Sequence, residues 1–166
     1  MKALSLVLIL LCLLSCGHKK VTTIPGSLVM KVEFSLSFDG PVTINVNTKT
    51  GKADILSIVF KNNRLTRLAD TTILSKQDIA GFFNDLDTLS LLNIPDDTSK
   101  IGFDGMSVMT DIDQDGKHSS FSTWSPKRKE KPIYYAFLDA VFNLAYKKFP
   151  NQKDPLKRVQ EYLSYP

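Results

Sequence analysis

Two alternating runs joined by Asp-Gly set the first constraint on this chain. Val32, Phe34, Leu36 and Phe38 alternate with Glu33, Ser35 and Ser37, and Val42, Ile44 and Val46 alternate with Thr43 and Asn45. A period of two puts every apolar side chain on one face of a strand. Asp39-Gly40 between the runs predicts a hairpin, with Pro41 tolerable where that end lies at a sheet edge. Asn47 to Lys52, with Gly51, predicts a second turn. "ADILSIVF" then reads as a more fully buried strand, and Asn62-Asn63 turns the chain into a short fourth strand, Arg64 to Leu68. These segments make an antiparallel meander with one apolar face.

After Leu68 the period changes. Ser75 is a candidate N-cap with Asp78 three residues on, a capping-box variant. Ile79, Phe82, Phe83, Leu86 and Leu89 follow at helical spacing. A second helix begins near Pro132, carries Ile133, Phe137, Leu138, Val141, Leu144 and Ala145 on one face, and stops at Pro150. Lys147 and Lys148 fall at its C-terminal end, which favours cations. Asp154-Pro155 opens a last helix with Leu156, Val159 and Leu163 on one side. The expected fold is α+β: an antiparallel sheet, made of a four-strand meander plus a later hairpin, with about three helices on one face. No repeat or long linker divides residues 28–166, which form a single domain.

The later hairpin lies in "TDIDQDGKHSSF", Thr110 to Phe121. Asp111, Asp113, Asp115 and Gly116 match positions 1, 3, 5 and 6 of an EF-hand loop, but position 12, where a bidentate glutamate belongs, is Ser122. The flanks "MSVMT" and "FSTW" are strand-like rather than helical. With Asp115-Gly116 as a two-residue turn, Ile112 faces Ser119, Thr110 faces Phe121 and Val108 faces Thr123. Val108, Ile112 and Phe121 then turn toward the core, while Asp113 meets His118 and Asp111 meets Ser120 on the solvated side. Calcium bound by Asp111, Asp113 and Asp115 is the alternative for this loop.

The chain begins with Lys2 and the uncharged thirteen-residue stretch "ALSLVLILLCLLS". That is short for a membrane-spanning helix, which needs about 20 apolar residues, and right for a signal-peptide core. Leu13-Leu14-Ser15-Cys16 resembles the lipobox of bacterial lipoproteins. The resemblance implies a signal peptide over 1–15, cleavage before Cys16, a diacylglyceryl group on its sulfur and a further acyl chain such as palmitate on its amino group. Residues 16–27 would be a lipidated tether, in which His18, Lys19 and Lys20 suit anionic headgroups on the periplasmic face. With Cys12 discarded and Cys16 lipidated, the mature chain has no free thiol, disulfide or cysteine metal ligand. "GFDGMSVMTDIDQDGKHSSFSTWSP" with "YYAFLDAVFNLAYKKF" resembles small uncharacterised lipoproteins of Bacteroidetes-like bacteria. That likeness transfers no activity.

Charge is uneven. Residues 16–69 carry a net +5, residues 70–116 carry −8 and residues 117–166 carry +6, so the thirds can complement one another in one fold or form opposed faces. Lys127, Arg128, Lys129 and Lys131 cluster before a helix N-terminus, where cations are disfavoured. They are a candidate patch for anionic lipid or an acidic envelope protein, and nucleic acid is not expected for an exported chain. Trp124 is expected at the core margin. No cysteine nucleophile, G-x-S-x-G or phosphate loop is present. The sequence supports a lipid-anchored binding or scaffold module without a cofactor beyond its lipid. A calcium-dependent binding module is second and an envelope hydrolase third.

Overall fold

A computed structural model describes residues 26–61, 64–86, 89–98 and 104–164. The signal-like segment and most of the expected tether, residues 1–25, lie outside the described residues. The strands are β1 (Leu28–Leu36), β2 (Val42–Asn47), β3 (Lys52–Lys61), β4 (Arg64–Ile73), β5 (Met106–Gln114) and β6 (Lys117–Trp124). The helices are α1 (Lys76–Leu86), α2 (Pro132–Lys148) and α3 (Lys153–Ser164), with short 3₁₀ turns at Leu91–Asn93 and Pro150–Gln152. The strands form one antiparallel sheet in the order β4-β3-β2-β1-β5-β6. The fold is therefore the expected α+β.

Alternation decides which face is covered. Leu28, Met30, Val32, Phe34 and Leu36 of β1 are buried, as are Val42, Ile44 and Val46 of β2 and Ala53, Ile55 and Val59 of β3. Met106, Val108, Ile112 and Phe121 continue that face, and it shares one core with Phe82, Phe83, Phe137, Leu138, Val141, Leu156 and Val159 from the three helices. Phe34 meets Phe142 at 5.3 Å between ring centroids, and Phe121 meets Phe137 edge-on at 5.4 Å, geometries that aromatic pairs favour. The opposite face carries no helix among the described residues.

Several expectations shift in detail. The alternation read at Val32 starts four residues earlier, at Leu28. Asp39-Gly40 joins β1 to β2, but neither residue has a positive φ, so the pair is part of a longer connection rather than a two-residue turn. Gly40 is there because the chain runs against β3: a Cβ on it would lie 2.2 Å from the Ile58 carbonyl oxygen. β2 is an interior strand, and Pro41 sits just before it with its carbonyl accepting from Ile58 N–H at 3.0 Å. β3 is not buried on both faces, since Asp54, Leu56 and Ile58 are only half-buried on the open side. β4 is longer than expected and runs on to Ile73.

The acidic and basic thirds do complement one another. The Ser75–Asp78 capping box forms, with Ser75 Oγ donating to Asp78 Oδ2 at 2.6 Å and Asp78 N–H donating to Ser75 Oγ at 3.1 Å. Asp78 is buried and also receives Lys147 at 2.9 Å and Lys148. The two lysines at the end of α2 thus clamp the start of α1, beyond any interaction with their own helix dipole. Lys148, Ser75 and Lys147 together hold the Asp78 carboxyl far below the usual carboxylate range, against the opposing effect of burial.

Candidate functional site

The β5–β6 hairpin takes the register that its sequence requires. Asp113 pairs with His118, Asp111 with Ser120, Thr110 with Phe121, Ile112 with Ser119 and Val108 with Thr123. Asp115 and Gly116 both have positive φ, 54° and 75°, as a type I′ turn demands. Asp113 Oδ1 accepts from Gly116 N–H at 3.0 Å, so this carboxylate helps to close the turn. Asp115 lies against the start of β1: its N–H donates to Ser27 O at 2.9 Å, and its carboxylate occupies the space where a Cβ on Gly26 would be. The three aspartates are therefore divided between the turn, the strand face and the chain entering β1. Among the described residues no group of three or more His, Cys, Asp or Glu side chains is placed to hold a metal ion.

Strand register turns the open face into a grid. One row runs His118, Asp113, Val29, Asn47 and Lys52 across β6, β5, β1, β2 and β3. The next runs Ser120, Asp111, Lys31, Asn45, Asp54 and Thr71. The first row, with Asp111, Lys31, Asn45 and Asp54 of the second, lines a shallow depression of about 530 Å³, which Thr50 completes at one end. Lys31 pairs with Glu33 at 3.1 Å and Lys52 with Asp54 at 3.2 Å. Both signs are interspersed, and amides stand between them. Such a face offers donors and acceptors to a polar partner, and no Phe, Tyr or Trp ring is among the residues that line the depression.

A different arrangement closes the far side of the hairpin. Pro95, Asp96 and Asp97 follow the turn at Leu91–Asn93 and lie along the outer edge of β6. Asp96 Oδ1 accepts from Ser122 N–H at 2.6 Å and from Ser122 Oγ at 2.8 Å. These two bonds, the backbone one foremost, hold the Asp96 carboxyl below its ordinary range. Asp97 Oδ2 accepts from Thr123 Oγ1 at 2.8 Å and Trp124 N–H at 3.2 Å, and it pairs with Lys131 Nζ at 2.6 Å. Asp97 N–H donates to Ser122 O at 2.9 Å. Tyr134 Oη donates to Pro95 O at 2.9 Å, and burial raises the Tyr134 phenol above its usual range.

This strap redistributes the candidate basic patch. Lys131 turns inward to Asp97 and to the Trp124 carbonyl oxygen, 2.8 Å away, leaving its side chain 17% exposed. Arg128 lies over the Tyr135 ring at 5.7 Å. Lys129 is exposed and Lys127 half-buried. Trp124, expected at the core margin, is half-buried at the end of β6 on the face opposite Phe121 and Thr123. The roles of Asp96 and Asp97 were not readable, because "PDDTSK" looks like an ordinary helix-terminating loop. Their partners lie 25 to 34 residues away.

No protein-family model matches this chain, and no curated protein is similar to it in sequence.

Proposed function

We propose that this chain is a lipid-anchored protein of the bacterial cell envelope, acting as a binding or scaffold module through the open face of its sheet. The observation that carries the binding reading is the one-sided packing. All three helices share the core on one face, while the polar rows of Asn45, Asn47, Asp111, Asp113, His118 and Lys31 remain on the other. The anchor rests on the lipobox-like Leu13-Leu14-Ser15-Cys16. β1 starts at Leu28, in the middle of the sheet, at the end that also carries the Thr48–Gly51 and Asp115-Gly116 turns. A lipid on Cys16 would tether the domain by that end and leave the grid accessible. Two or more acyl chains give stable anchoring, at about 0.8 kcal/mol per buried CH₂.

Two experiments test the reading. Mass spectrometry of membrane-extracted protein is expected to find the mature chain starting at lipid-modified Cys16, and Cys16→Ser to release it. A Cys16→Ser chain that stays in the membrane contradicts the anchor. Cross-linked capture from the native envelope, with Asn45→Arg/Asn47→Arg as control, tests the face. The expected result is a partner captured by the unsubstituted chain and lost with the paired substitution. Equal capture by both removes the open face from the account.

A further inference from the structure

β4 ends the sheet, and its pattern is inverted relative to the other strands. On the helix side it places Arg64, Thr66, Leu68, Asp70 and Thr72. On the open side it places Leu65, Arg67, Ala69, Thr71 and Ile73. Leu65 is 64% exposed and Ile73 70% exposed, and Phe60, which pairs with Leu65 across the hairpin, is 63% exposed. Among the described residues no strand pairs with the outer edge of β4. Leu74 N–H donates to Gly51 O at 2.6 Å, so even-numbered residues of β4 bond to β3. The N–H and C=O groups of Leu65, Arg67, Ala69, Thr71 and Ile73 therefore point away from the sheet. A long edge strand with apolar side chains is a template for another strand.

From this edge we infer that the chain forms a two-fold symmetric homodimer by antiparallel pairing of β4 with β4 of a second copy, centred on Ala69. A two-fold interface must be self-complementary, and this strand is. In the Ala69-centred register Leu65 of one copy faces Ile73 of the other, and Arg67 faces Thr71. Thr71 Oγ1 already donates to Asp54 Oδ1 at 2.9 Å. Arg67 of one copy then stands two strands, about 10 Å, from Asp54 of the other, a span that an extended guanidinium side chain covers. This charge pair forms twice by symmetry.

Neighbouring registers are worse. Centring on Arg67 or on Asp70 sets like charges directly opposite one another, which destabilises cross-strand pairs. Centring on Leu68 leaves Leu65 against Thr71 and Ile73 without a β4 partner. The Ala69 register also overlaps almost the whole of β4. Asp70 opposes the dimer: its carboxylate now accepts from Thr71 N–H at 2.8 Å, and on pairing that N–H passes to Arg67 O of the second copy. The two Asp70 side chains are then left diagonal across the axis on the helix side. Asp70→Asn is therefore expected to tighten the association, and added salt to favour it.

The test is disulfide trapping of the full chain in its native membrane. Ala69→Cys places two sulfurs on the axis, where hydrogen-bonded antiparallel neighbours are about 5.5 Å apart at Cα, within disulfide range. Thr71→Cys sets its two copies four residues out of register, about 13 Å apart along the strands, too far to bridge. The expected result on a non-reducing gel is a covalent dimer for Ala69→Cys, none for Thr71→Cys and none for the unsubstituted chain. Adding Leu65→Lys and Ile73→Lys to Ala69→Cys should abolish the band, while circular dichroism shows the fold kept. No dimer from Ala69→Cys overturns the proposal, as does an equal yield from Thr71→Cys. A band that survives the paired lysines also overturns it, and insertion of the Phe60–Leu65 tip into lipid would then explain the exposed side chains.

Discussion

The two edges of the sheet are built on opposite plans. At β6 the outward-pointing groups of Ser122 and Trp124 are occupied by Asp96 and Asp97, and Lys131 and Tyr134 fasten that strap to α2. At β4 the outward backbone of five residues has no strand beside it among the described residues, and Thr71 N–H is engaged by its own neighbour Asp70. One edge is closed by the loop that carries Asp96 and Asp97. The other leaves a backbone edge flanked by the exposed Leu65 and Ile73 side chains. Among the described residues, β6 is the edge protected in this way. The contrast marks β4 as the edge at which association is permitted.

Opening the sealed edge should have the largest effect. Asp97→Ala leaves Lys131 the Trp124 carbonyl but not its carboxylate, and breaking a buried pair from one side costs about 3–5 kcal/mol. For a domain of this size the melting temperature should fall by about 10 °C or more, read by thermal denaturation. The protein should also aggregate more readily as the β6 edge is freed. An unchanged melting temperature would mean that the strap is decorative. Next in size is Asp78→Asn, which removes the clamp just beyond β4. About 2–3 kcal/mol should be lost, since a capping carboxylate and two charge-assisted bonds go while Lys147 can turn to water.

Asp78 also fixes the sign of the pH dependence. Its folded pKa is depressed, so its contribution is fully present above the ordinary aspartate value and is lost as pH falls from about 4 toward the lower folded value. Urea denaturation should show the native chain weakening across that acid range, and Asp78→Asn should show a flatter profile. Asp96→Ala should act more locally, on an exposed residue. Faster hydrogen exchange at Ser122 N–H is the expected readout, with little change in global melting. The smallest effect on stability belongs to Leu65→Lys with Ile73→Lys. These exposed positions should leave the monomer within about 0.5 kcal/mol per site, even though they remove the dimer.

What was legible follows the range of the interactions involved. The β5–β6 register was readable residue by residue, because a two-residue Asp-Gly turn fixes pairing locally and the period-two pattern leaves one solution. The Asp-Gly at 39–40 looked equivalent and was not. Asp39 is held by Arg158, and Ser37 bonds through N–H and Oγ to Gly105, 68 residues on. Those distant partners leave no local signature. The sequence signal for β4 stops at Leu68 because "ADTTI" lacks alternation toward a core, and an edge strand with a polar helix side has no reason to show it. The helices were readable from their stripes and from Ser75–Asp78, yet the lysines that Asp78 recruits are 69 and 70 positions away in the chain. The basic cluster before α2 was visible as a run, but the inward turn of Lys131 depends on Asp97, 34 residues earlier.

Hydrogen exchange on the full chain in lipid nanodiscs, measured one copy per disc and several copies per disc, tests the contrast between the edges most directly. The amides of Ser122 and Trp124 should be protected in both cases. Those of Leu65, Arg67, Ala69 and Ile73 should exchange quickly when the chain is alone and become protected when copies share a disc. Rapid exchange at Ser122 and Trp124, or protection of the β4 amides in isolated chains, would contradict the account.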